Sequence, residues 1–399
     1  MRATSTTICV AALAFLTVPV TPLSAAGIPS PAEAPRTANS ESFEQLATRA
    51  QAAMDADHLA EAILLYQRAT TLRPSWSEGW WHLGTLLFDR ERFPEARDAF
   101  AHFVSVEHQQ PGPGFAMLGL SEFHLQQYPK ALAALEHARI LGLGANPDFI
   151  HSVLYHDGIL NTRLGQAEVG LERLTLAANE IAAAHPEAGK ETVLADKPLL
   201  DAFGLAALRI PKLPGDIPAA QAALVRAAGH VQALHALEDR AGAEAGFKQL
   251  LTKYPSEPGV HYMYGVFLLK DNPPQAVAHF QREIEVSPSN YAARIQLALE
   301  DLRTADYQPG LKYAQQAAAL APGNFVAHVV YGRLWLALGK TDRAVAELET
   351  AVRLAPDSPD AHFALSRALS EAGRAGEAQR ERAEFDRLSA LRDAADRKQ

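Results

Sequence analysis

Residues 80–100 read "WWHLGTLLFDRERFPEARDAF". Trp80, Leu83, Gly84 and Leu87 recur at steps of three and four, the spacing of one face of an α-helix, and Ala96 and Phe100 repeat the step further on. A half-buried strand would alternate apolar and polar residues instead. The stretch is a pair of short helices, too small to bury its own apolar face.

The same phase returns as His261, Tyr264, Gly265, Leu268, Ala276, Phe280 and Pro288, and again as His328, Tyr331, Gly332, Trp335, Ala344, Leu348 and Pro356. Further copies are anchored by Ala62, Tyr66 and Pro74, by Phe115, Leu118, Gly119 and Ala131, and by Ala243, Phe247 and Pro255. Weaker ones contain Gly158 and Leu174, Leu297 and Pro322, and Leu365 and Ala378. This pattern of Trp, Leu-Gly, Ala and Phe resembles the tetratricopeptide repeat. About nine copies begin near Phe43, Ser77, Gly112, His151, Leu224, Pro258, Tyr291, Phe325 and Pro359. The resemblance implies an all-α, right-handed superhelical solenoid whose hairpins become stable by stacking on their neighbours. Small residues stand where helices approach closely, and the prolines close the second helices.

That phase also disposes of a tempting motif. Gly339-Lys340-Thr341 ends like a phosphate-binding loop, but Leu334 stands where the loop needs its first glycine, and the preceding residues have helical spacing. The tripeptide is expected to be the turn inside the eighth hairpin.

Composition bounds the rest. The 399 residues are 48% hydrophobic and 21% charged, which suits a globular core. A net charge of −9 with scattered basic residues argues against nucleic acid as a partner. Residues 1–26, with Arg2, an apolar run from Ile8 to Val20 and small residues at Ser24 and Ala26, read as a secretory signal peptide. Retention as an uncleaved anchor is the alternative, and no later segment is apolar enough to span a bilayer. Cys9 is the only cysteine, so residues 27–399 hold no disulfide or Cys-ligated metal. Residues 27–42 are rich in Pro, Ala and Ser and read as a flexible leader.

The period breaks once. Residues 43–184 are expected to hold four repeats and residues 224–388 five, followed by a polar tail at 389–399. Between the blocks, 185–223 reads as an irregular insert with one short helix at Leu199–Leu208 and a Pro-rich loop, Arg209–Pro218, that would serve as an elbow or partial lid.

Fifteen histidines invite a metal reading, but His261, His328 and His362 share one repeat position with Trp80 and Phe115, which assigns them a structural role. His151 and His156 are not at the i, i+4 spacing of a helical ligand pair. No catalytic or dinucleotide fingerprint appears, so neither enzyme activity nor a cofactor is expected. The family resemblance implies a concave groove lined by first helices that binds peptides or partner helices. Counted helically from the packing stripe, its residues are Trp81, Phe88, Phe123, His124, Tyr155 and Arg163 in the first block and Tyr262, Lys270, Arg303, Arg333, Phe363 and Arg367 in the second. Aromatic and arginine side chains are the types that anchor interfaces. The family's clamp for a peptide C-terminus is not matched. Glu283, Arg294 and Asp301 are charges at repeat positions that are apolar or small elsewhere, and a paired network among them is expected. The expected function is an exported, non-enzymatic scaffold or adaptor that binds a protein or peptide. A membrane-associated factor in cell-envelope assembly or polysaccharide export is the alternative, and an enzyme using His and carboxylates is the third possibility.

Overall fold

The computed structural model describes residues 41–396. Among them every regular element is helical, and the contacts divide into a first unit ending at Val193 and a second beginning at Leu194. The first unit contains α1 (Phe43–Asp55), α2 (Leu59–Leu72), α3 (Ser77–Asp89), α4 (Phe93–Val106), α5 (Gly112–His124), α6 (Tyr128–Leu141), α7 (Pro147–Arg163) and α8 (Ala167–Ala184), packed as four hairpins. A short α9 (Gly189–Ala195) lies at the boundary. The second contains α10 (Lys197–Ala207), α11 (Ala219–Ala236), α12 (Arg240–Lys253), α13 (Val260–Leu268), α14 (Pro273–Val286), α15 (Tyr291–Arg303), α16 (Tyr307–Leu320), α17 (Phe325–Ala337), α18 (Thr341–Leu354), α19 (Pro359–Glu371) and α20 (Ala375–Asp396).

Local chemistry sets the boundaries. Ser42 and Gln45 close a reciprocal capping box on α1, while Asn146, Asn290, Asn324 and Ser358 accept backbone N–H groups at the starts of α7, α15, α17 and α19. Asn146 with Pro147 explains why α7 starts one turn before the His151 expected from the period. Gly339 has φ +67°, and α17 ends and α18 begins on either side of it, so Gly339-Lys340-Thr341 is the hairpin turn.

The repeat pattern is written in the packing. A Cβ on Gly84 would lie 2.6 Å from the Phe100 ring, one on Gly265 2.6 Å from Phe280, and one on Gly332 2.5 Å from Leu348. In these hairpins the glycine of the first helix is the socket for the large residue of its own second helix. Ala62, Ala96, Ala276 and Ala344 are fully buried across these crossings. The shared His/Trp position is a tether. Trp80 Nε1–H donates to the Pro74 carbonyl (2.8 Å), and Nε2 of His261, His328 and His362 meets the carbonyls of Pro255, Pro322 and Pro356 (3.1, 3.1 and 2.9 Å). The ring ties each hairpin to the proline that closes the preceding helix.

Residues 185–223 hold the short helix and the loop expected of them, but with more helix than an irregular insert. They form α9, all of α10 and the start of α11. Asp196 caps α10 through the Leu199 N–H, which starts the helix two residues before Leu199. α10 packs on α11 so closely that a Cβ on Gly204 would lie 1.9 Å from the Val225 carbonyl oxygen, and one on Gly229 1.7 Å from that of Leu200. It also ends in the turn used by the first helices, with Arg209 at φ +58° and Ile210 N–H donating to Leu205 O. α10 is thus part of the second unit, and α11 is flanked by α10 and α12. The following loop is fastened down. The Arg209 guanidinium donates to the Tyr291 hydroxyl (2.7 Å) and lies over the rings of Tyr262 and Tyr291 (5.6 and 5.2 Å), which speaks against an elbow there.

Candidate functional site

A first helix of the repeat packs through one stripe, and the side chains beside that stripe either close the joint to the next hairpin or reach solvent. Three of the twelve expected groove residues belong to the first class. Trp81 is buried against Phe100 and Phe103, Phe88 is buried beside Phe93, and Tyr262 is buried beneath Arg209 and against Phe280. These three are corrected from groove anchors to core residues: a large ring one step off the stripe reaches sideways into the adjoining second helix.

The others remain accessible to different degrees. In the first unit Phe123 and Tyr155 are half-buried, and His124 and Arg163 are exposed. His124 stacks flat on Phe93 at 4.0 Å, Phe123 meets His156 edge-on at 4.8 Å, Tyr155 meets His156 at 5.3 Å, and Arg163 lies over the Tyr128 ring at 5.9 Å. The result is a run of part-exposed rings over α4–α7. Burial pushes His156 down to about 4, and its Nδ1–H donates to the Ser152 carbonyl (2.7 Å), so it is neutral in this setting. In the second unit Lys270, Arg303, Arg333, Phe363 and Arg367 are all exposed. This half of the expected surface is cationic with apolar points.

The expected network is absent as such. Glu283, fully buried, accepts from the N–H groups of Gly259 (2.8 Å) and Tyr262 (3.2 Å) and from Asn290 Nδ2 (2.8 Å). It is a remote cap for α13. Arg294 donates to Gln316 Oε1 and to the Asn290 carbonyl, both at 3.0 Å, rather than to a carboxylate. Asp301 points its Oδ2 inward without a hydrogen-bond partner among the described residues, and burial, reinforced by Asp306 and Glu300, pushes its carboxyl up to about 6. Asn290 links Glu283 and Arg294 in place of a direct pair, because each charge finds a nearer backbone partner.

The same criterion, a charge at an apolar repeat position, applies to a residue not singled out from the sequence. Asp157 occupies the repeat position of Leu83 and Leu118 and is fully buried on α7, with Arg139 Nε at 3.8 Å and Arg173 Nε at 3.4 Å, while Asn161 donates to its other oxygen. Burial pushes its carboxyl up to about 6 despite both guanidiniums. These groups tie α6, α7 and α8 together below the surface. Among the described residues no set of three or more His, Cys, Asp or Glu is gathered to hold a metal ion, and no helix is long and apolar enough to cross a membrane.

Comparison with known proteins agrees with the repeat. Tetratricopeptide-repeat profiles match residues 48–107, 301–358 and 336–381. Anaphase-promoting complex subunit 3 of Schizosaccharomyces pombe is 28% identical over 106 residues, 27% of this chain and 16% of that protein, so the chain spans about a sixth of that relative. Among solved structures, MamA 41-end from Desulfovibrio magneticus RS-1 is 17% identical with a TM-score of 0.39 over 43% of this chain and 97% of that one. The MamA RS-1 ArsTM double mutant is 18% identical with a TM-score of 0.38 over 41% and 92%. The matched stretches contain the sockets at Gly84 and Gly332 and the closing prolines Pro74, Pro322 and Pro356, so the chain carries tetratricopeptide repeats at residues 48–107 and 301–381.

Proposed function

We propose that the protein is an exported, non-enzymatic scaffold that holds a protein or peptide partner against its first helices. The observation that carries this reading is the contrast within one set of repeat positions. Trp81, Phe88 and Tyr262 close joints and are buried, whereas Lys270, Arg303, Arg333 and Arg367 reach solvent, as do His124, Arg163 and Phe363 with one side resting on Phe93, Tyr128 and Phe385. Arginine and aromatic side chains in such places are suited to anchoring a partner, since they bury area and satisfy polar groups together. Export rests on the sequence of residues 1–26, which lies outside the described residues.

The test is affinity capture from a cell-envelope extract with the wild type and with Phe363→Ala/Arg333→Ala, together with fractionation of the native protein. A partner held by the wild type and lost by the variant, at unchanged melting temperature, is the expected outcome. Equal capture by both would remove the surface from consideration, and recovery only from the cytoplasm would remove export.

A further inference from the structure

The chain as a whole carries a charge of −9, yet four exposed residues on or just after first helices of the second unit, Lys270, Arg303, Arg333 and Arg367, are cations, with the exposed carboxylates Asp360 and Glu371 on α19 among them. Lys270 and Arg303 stand at one repeat position near the ends of α13 and α15, and Arg333 and Arg367 share another on α17 and α19, four residues nearer the helix start. Residues four apart lie on one helical face. Since α15, α17 and α19 touch one another in order, the arginines form a column across them, and Lys270 continues the same register on α13.

Their local partners are few. Among the described residues Lys270 and Arg333 make no ion pair, Arg367 has Glu371 at 3.9 Å, and Arg303 is held by Glu300 through two hydrogen bonds of 2.9 and 2.7 Å. Two carboxylates stand on the same face of α19: Glu371, at the repeat position of Lys270 and Arg303, and Asp360, at the start of the helix. Apolar points lie between the cations: Val266 is 41% and Phe363 37% exposed, and Leu299 and Leu336 are half-buried. The single cations are spaced by whole helices rather than massed into the continuous basic patch that tracks a phosphate backbone.

We propose that this face of the second unit docks an extended acidic segment of a partner protein, in which carboxylates alternate with apolar side chains. The proposal rests on the scaffold reading above and names its partner class. The cations select the sign of the partner at contact, and Val266 and Phe363 supply the apolar contact that charge alone does not. Binding of this kind weakens as salt screens the surface charges.

The experiment is fluorescence anisotropy with a labelled peptide of alternating Glu and Phe, beside a Lys–Phe peptide of equal length and a single-stranded oligothymidylate. The Glu–Phe peptide should bind, and Lys270→Glu/Arg333→Glu should weaken it by about tenfold or more, as should a rise from low to high salt. The swapped variant should keep the wild-type melting curve, since both residues are exposed. Equal binding of the Lys–Phe peptide, preference for the oligothymidylate, or indifference to the charge swap would overturn the proposal. If no Glu–Phe binding is found while Phe363→Ala/Arg333→Ala still abolishes partner capture, the acidic class falls and the scaffold reading stands.

Discussion

Glu283 shows how one residue can be exceptional for a reason that only its neighbours reveal. Ala69, Ala138, Ala317 and Ala351 fill its place in other repeats and are fully buried. A carboxylate is tolerated there because Gly259 and Tyr262 offer it backbone N–H groups at the positive end of α13, although burial still pushes its pKa up. Glu283→Ala is expected to destabilise by about 2–3 kcal/mol, because it leaves buried donors unmatched, and urea denaturation reads this directly. Asp301 is the opposite case, a carboxyl raised to about 6 with one oxygen unpartnered. Its unfolded pKa is about 3.9, so between roughly pH 4 and 6 the folded state binds more protons, and the stability it contributes at low pH is lost as pH rises through 6. Asp301→Asn should therefore stabilise the protein at pH 7 and lose that advantage near pH 4. Melting curves at the two pH values test the sign, and an equal shift at both would refute it.

At the scale of the element, each hairpin is a socket and a plug. Gly265→Ala would put a methyl group into the Phe280 ring and is expected to cost about 1–3 kcal/mol, with the loss appearing in the chemical-denaturation midpoint. Unchanged stability would mean that the ring can move aside, and the close approach would no longer explain the glycine. The loop after α10 is an element of its own because Arg209 pins it across Tyr262 and Tyr291. Trypsin should spare Lys212 in the wild type and cut there in Arg209→Ala. Cleavage of both at one rate would show that the strap does not hold the loop.

For the molecule as a whole, stability is nearly a sum of neighbouring joints, and an uncovered end is a liability. α20 covers α19 with Leu388 buried, while it turns Arg380, Arg382 and Arg387 outward. Ending the chain after Ala372 should expose Ala364, Leu365 and Leu369 and speed hydrogen exchange in α19 by about tenfold or more, with α13 much less affected. Equal acceleration in both helices would mean that the second unit opens as one cooperative block.

Periodicity by itself determined that the chain is all-α, where most hairpins begin and why glycine, alanine and proline recur, since these follow from helical spacing and from steric limits that repeat with the unit. It also determined that Gly339-Lys340-Thr341 is a turn. The fate of a ring beside the packing stripe was a tertiary matter: Trp81 and Tyr262 are buried while Phe363 is not, because the adjoining helix and, for Tyr262, a loop from residues 209–218 decide what space remains. The membership of α10 in the second unit was likewise decided by the close approach of α10 and α11 at Gly204 and Gly229, which no repeat spacing announces. Charges at apolar repeat positions were legible as exceptions, but their partners were not. A buried carboxylate is satisfied by whichever donors the folded chain brings within hydrogen-bond reach, and for Glu283 those were two backbone N–H groups and Asn290, neighbours that no spacing rule distinguishes.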